Sequence, residues 1–129
     1  MSTHAGDSSV RRTFLVTQTA QERLINHLCH TSDLSEPQAE RLVTQFRSCY
    51  LHQLSTSKEL AQQIVSDEKT HNTVRRLEWA KGASYTARSI IRHLPYADAS
   101  HDGSTHERIQ LITDFQETLD DYYRADHPD

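Results

Sequence analysis

Ser35-Glu36-Pro37-Gln38-Ala39-Glu40-Arg41-Leu42-Val43-Thr44-Gln45-Phe46-Arg47-Ser48-Cys49-Tyr50-Leu51-His52-Gln53-Leu54 is the stretch that decides the fold. Ala39, Leu42, Val43, Phe46, Tyr50 and Leu54 fall on one stripe of a helix with 3.6 residues per turn. Pro37 is tolerated there because the amides of a first turn lack intrahelical partners. The rest of the chain repeats the pattern. Upstream, Thr19-Ala20-Gln21-Glu22 has the form of a capping box, with Leu24, Ile25 and Leu28 following at helical spacing to about His30. Downstream, Thr56-Ser57-Lys58-Glu59 has the same form and predicts a further helix with Leu60, Ala61, Ile64 and Val65 as its apolar face.

The polar stretch 66–73 predicts a break near His71-Asn72. A helix then runs from about Thr73 to Leu94, where Pro95 stops it. Leu77, Ala80, Ser84, Ala87, Ile91 and Leu94 form its core series. Residues 95–104 read as a loop. Ser104-Thr105-His106-Glu107 opens the last helix, with Ile109, Ile112, Phe115, Leu119 and Tyr122 on its inner face. Residues 1–13 lack periodicity and are read as a flexible tail, leaving one domain over residues 14–126. The expectation is an all-α, up-and-down bundle of four to five helices.

Composition supports that class. The 129 residues suffice for one core, and 35% are hydrophobic against 25% charged. Three Gly and three Pro are too few for the many turns of a sandwich or barrel. No apolar run approaches the roughly 20 residues that span a bilayer, and residues 1–12 show no signal-peptide pattern. Cys29 and Cys49 form no CxxC and read as small apolar packers. The chain is therefore expected in the cytoplasm, without membrane contact.

Net charge is −4 with His neutral, which argues against a protein devoted to non-specific nucleic-acid binding. The sequence holds no GxGxxG, P-loop, GxSxG or HExxH, and it is read as non-catalytic with no cofactor. Nine His raise the question of metal. Glu68-Lys69-Thr70-His71 is a single ExxH where di-iron bundles need two. His27, Cys29 and His30 lack a fourth ligand nearby. Asp98, His101, Asp102 and His106 crowd one loop. Each is read as solvated polar surface, and no metal ligand is assigned.

The most informative stretch is Leu77-Glu78-Trp79-Ala80-Lys81-Gly82-Ala83-Ser84-Tyr85-Thr86-Ala87. Gly82 costs a helix about 1 kcal/mol relative to Ala and so calls for a reason. Small residues around it would let another backbone approach. Beside the core series runs a ridge of Glu78, Lys81, Tyr85, Arg88 and Arg92, at spacings that place them on one face. The ridge suits either an acidic partner or the chain's own last helix, which is rich in acids from Asp114 onward.

This stretch resembles the HxxKG motif of histidine-containing phosphotransfer (HPt) domains, which are helical bundles of this size. The resemblance covers roughly residues 42–125, and Phe46 has a counterpart on the helix before the motif. Lys81, Gly82 and the small residues after them match, but Glu78 stands where the family has its phosphoryl-accepting His. Arg88 stands where it often has a second Gly. The resemblance implies a protein that binds receiver-like partners without relaying phosphate, because a carboxylate does not replace imidazole as the carrier. The expected function is regulatory or adaptor binding by protein–protein contact, through Glu78, Lys81, Gly82, Tyr85, Arg88 and Arg92. Two alternatives stay open: a nucleic-acid accessory protein using Arg75, Arg76, Lys81, Arg88 and Arg92, or a metal-binding bundle. Homo-oligomerisation also stays open.

Overall fold

The computed structural model describes residues 5–97 and 104–128; 86% of these are helical, and none is in a strand. Four helices follow one another: α1 (Ala5–Thr31), α2 (Glu36–Val65), α3 (His71–Arg92) and α4 (Ser104–Asp126). The all-α expectation holds, with four helices.

Ser35 caps α2 as its spacing anticipates. Its hydroxyl accepts from the Gln38 amide at 3.3 Å, and the Gln38 side chain accepts from the Ser35 amide at 3.0 Å. Ala39, Val43, Phe46 and Tyr50 of the stripe are buried, with Leu42 and Leu54 half-buried. The expected restart at Thr56 does not occur. Thr56 is buried, and its hydroxyl donates to the His52 carbonyl at 2.9 Å within a continuous helix. Glu59, which a cap would have used, instead meets Arg76 of α3 at 2.6 Å. Tertiary pairing outweighs the local cap pattern. Ile64 and Val65, expected on an apolar face, are exposed.

The break comes slightly earlier than expected. The Glu68 amide donates to the Gln63 carbonyl at 2.9 Å and the Asp67 amide to the Ile64 carbonyl at 3.2 Å, with Asp67 at φ 59°. That is a Schellman closure with Asp in the left-handed position usually taken by Gly.

At the other end, residues 5–13, read as a tail, belong to the first turns of α1. Thr19 lies mid-helix, its hydroxyl donating to the Leu15 carbonyl at 3.1 Å. The cause is α4. Thr17 is buried with its hydroxyl 3.2 Å from the Thr118 carbonyl, and the Phe14 ring lies 6.0 Å from that of Tyr122. Helical turns that are marginal alone persist when packing supplies a partner.

Helix α2 packs chiefly on α3, and α1 on α4. Leu24, Leu28, Val43, Phe46, Ile91, Phe115 and Leu119 meet between these pairs with no exposed surface. Among the described residues the backbones of α1 and α3 do not approach closely and α3 meets α4 only lightly, so α3 rests mainly on α2. No helix among the described residues is long and apolar enough to cross a membrane.

One cation lies at the heart of the fold. Arg108 of α4 has no exposed surface. It donates to the Leu94 carbonyl at 2.6 Å and to the hydroxyls of Ser32 and Thr31 at 2.7 and 3.0 Å. Its Nε donates to His27 Nε2 at 3.3 Å, and its guanidinium lies 3.9 Å from the centroid of the Tyr96 ring. Among the described residues no carboxylate pairs with it; it lies instead at the C-terminal ends of α1 and α3, with hydroxyls accepting at the first and carbonyls at the second, where each helix carries partial negative charge.

His27 is thereby held neutral. Burial and the Arg108 charge lower its pKa from 6.5, His30 adds to that, and Glu107, 3.8 Å from Nδ1, opposes it. Because the folded value lies below the unfolded one, the stability this neutral ring contributes is present above about pH 6.5 and fades as pH falls further. The melting temperature is expected to drop between pH 7.5 and 5.5. His27→Gln, which keeps an acceptor that does not titrate, should reduce the slope.

Candidate interaction surface on the third helix

Leu77, Ala80, Ser84 and Ile91 turn inward, as the core series anticipates, and hold α3 on α2. Polar contacts fix both ends. Near the N-terminus the buried Thr73 hydroxyl donates to Gln63 at 2.6 Å, and Arg76 is paired with Glu59. At the C-terminus Arg108 takes the Leu94 carbonyl. The helix is anchored, and most of its circumference is left to solvent.

All six residues assigned from sequence lie on that free surface or its margin. Glu78, Lys81, Gly82, Tyr85 and Arg92 are exposed, and Arg88 is half-buried. Lys81, Tyr85 and Arg88 also border a cleft of about 250 Å³ against Tyr50 and Gln53 of α2 and Gln116 of α4. Burial and the Asp120 carboxylate, which accepts from the Tyr50 hydroxyl at 2.7 Å, push the Tyr50 phenol up to about 12.

The alternative that the ridge pairs with the acidic last helix is not what the side chains do. Asp120 takes Tyr50, Asp114 takes Gln110 and Asp121 pairs with Arg124. Among the described residues no carboxylate pairs with Lys81, Arg88 or Arg92. Arg76, one of the five cations of the nucleic-acid alternative, is committed to Glu59.

A larger feature lies on the other flank of α3. A groove of about 760 Å³ runs between Gln45 and Cys49 of α2 and Trp79, Ala83, Ala87 and Ile90 of α3, with Gly82 and Glu78 at its edge. Trp79 is 78% exposed and Ile90 48%. Together with Tyr85, at 66%, they put much apolar surface on one short helix. Trp79, Ala83 and Ile90 were outside the expected site. Their signal is a second apolar stripe at four- and seven-residue steps beside the core series.

Comparison with protein-family models, curated proteins and solved structures returns no match. The surface must therefore be read from its own chemistry.

Glu78 and Lys81 stand one turn apart on the exposed side of α3. Among the described residues no three His, Cys, Asp or Glu side chains are placed to hold a metal ion. Glu68 lies outside helix and His71 is the first residue of α3, so the ExxH does not present two ligands on one helix face. Asp98, His101 and Asp102 lie outside the described residues.

Gly82 has a simple test. A Cβ built there meets nothing within 4 Å, so no neighbouring helix demands the glycine. Gly82→Ala is expected to leave stability unchanged or raise it by about 0.5–1 kcal/mol, since Ala is the better helix former. Thermal denaturation of the variant measures it; a loss of 1 kcal/mol or more would place Gly82 in a packed interface.

Proposed function

We propose that the protein is a non-catalytic, cytoplasmic adaptor or regulator, an up-and-down four-helix bundle that presents α3 to a protein partner with an acidic docking surface. The observation that carries this reading is the combination on α3 of exposed Trp79, Tyr85 and Ile90 with Lys81, Arg88 and Arg92, cations without a carboxylate partner among the described residues. A few residues carry most of the energy in protein interfaces, and Trp, Tyr and Arg are enriched among them. If the HPt resemblance is functional, Glu78 supplies a fixed negative charge in place of the transferable group, and the partner contact occurs without transfer.

The test is capture from the native host by the full chain and by Lys81→Glu/Arg88→Glu. The wild type should retain a protein that the double variant loses at unchanged melting temperature. Equal capture by both would overturn the reading. A salt-sensitive mobility shift with nucleic acid, abolished by the same two changes, would instead favour the nucleic-acid alternative.

A further inference from the structure

We infer that the cleft between α3, α2 and α4 is a binding site for a single phosphoryl group, borne on a serine or threonine side chain of the partner protein. This rests on the reading of α3 as a docking surface and names what its cations hold. The cleft, of about 250 Å³, is lined on α3 by Lys81, Ser84, Tyr85 and Arg88. Both cations thus belong to the wall itself, and the wall contains no carboxylate. Lys81 and Arg88 stand two helical turns apart, with Ser84 and Tyr85 on the turn between them.

The fold leaves two of these side chains incomplete. Arg88 is half-buried, yet among the described residues it makes no hydrogen bond and pairs with no acid. A partly desolvated guanidinium with none of its five donors placed is costly until an anion completes it. Ser84 is only 4% exposed, and its hydroxyl likewise has no partner among the described residues. Other buried helical hydroxyls of the chain donate to the carbonyl four residues back, as Thr17, Thr31 and Thr56 do. Ser84 does not. Among the described residues only the Tyr96 hydroxyl is both sealed and unpartnered, so the Ser84 oxygen keeps an opening, and this cleft is what it lines.

Charge and shape select the occupant. A phosphorylated side chain carries about −1.5 to −2 charges at pH 7 and three acceptor oxygens. Those oxygens can meet the Lys81 ammonium, the Arg88 fork and the Ser84 hydroxyl at once, whereas a carboxylate has one oxygen too few. Gln53 of α2 and Gln116 of α4 add amide groups on the facing walls. Tyr50 adds no donor, because its hydroxyl goes to Asp120, and Asp120 is not part of the wall. Glu78 borders the apolar groove on the other flank of α3 and does not line this cleft. The volume falls below the roughly 300–1,000 Å³ of sites that enclose a whole small ligand, so the charged group enters while its carrier stays outside.

The test is a titration of the full chain followed by two-dimensional NMR at constant ionic strength, which keeps screening equal. The probes are mixed-sequence heptapeptides with a central phosphoserine, the same peptides with Ser or Glu at that place, and inorganic phosphate. The phosphopeptides should shift the Ser84 amide and Arg88 Nε signals and bind at least tenfold tighter than the other three probes. Ser84→Ala should weaken them at least threefold and Lys81→Gln/Arg88→Gln at least tenfold, both at unchanged melting temperature. Phosphatase treatment of the host extract should abolish capture by the wild-type chain. Equal binding of the Glu peptides overturns the phosphoryl claim in favour of a carboxylate. Inorganic phosphate binding as tightly as the phosphopeptides overturns the protein-borne source. Shifts scattered over Arg11, Arg12 and other surface cations mark an adventitious ion only and overturn the site. No shift with any probe, or capture that survives phosphatase, overturns the proposal and leaves the α3 reading to the charge-reversal test.

Discussion

Arg108→Ala is expected to cost about 3–5 kcal/mol, enough to remove much of the stability of a small domain. The size follows from what the side chain joins. Arg108 carries donors to α1 through Thr31 and Ser32 and to the end of α3 through Leu94, and it is anchored on α4. Removing it leaves a large void, and buried acceptors that lose a partner cost about 1–3 kcal/mol each. Against this stands the relief of a buried cation, whose pKa is lowered by desolvation. That relief is limited, because two helix C-termini and the Tyr96 ring already stabilise the charge. Arg108→Lys should recover only part of the loss, since one ammonium cannot span acceptors on two helices. Urea denaturation of both variants measures this; midpoints matching wild type would mean that the cation contributes nothing net.

Phe46→Ala should cost about 3–5 kcal/mol. Phe46 has no exposed surface, and its ring centroid lies 6.0 Å from those of Tyr50 and Phe115, so it joins α2 to α4 at the centre of the core. The control is Glu40→Ala on the exposed side of the same helix, where little change is expected. Equal midpoints for the two variants would put the α2 register in error.

Periodicity was a sufficient guide in three helices, although it failed at the end of α2, where Ile64 and Val65 are exposed. The stripe of α2, the core series of α3 and positions 112, 115 and 119 of α4 turn inward where their spacing placed them, while Ile109 and Tyr122 of the same α4 face are half-buried. Local cap patterns misled at Thr19 and Thr56, because Thr118 on α4 and Arg76 on α3 offer contacts that no local pattern displays. Arg108 was missed for a different reason. It continues the inner stripe of α4 one turn before Ile112, but an Arg there reads as surface until the ends of α1 and α3 are known to converge on it. At the candidate surface, the ridge from Glu78 to Arg92 was visible as a charge pattern. The groove was not, because one of its walls, Gln45 and Cys49, belongs to another helix.

Central to the functional reading is that α3 exposes Trp79 for a partner and not as a by-product of folding. The most direct measurement is Trp79→Ala, with melting temperature and host capture read on the same preparation. The side chain is largely exposed, so its removal should leave melting within the small range of surface substitutions, about 0.5 kcal/mol, while the captured protein is lost. Melting lowered by several degrees, or capture undiminished, would contradict the docking role of α3.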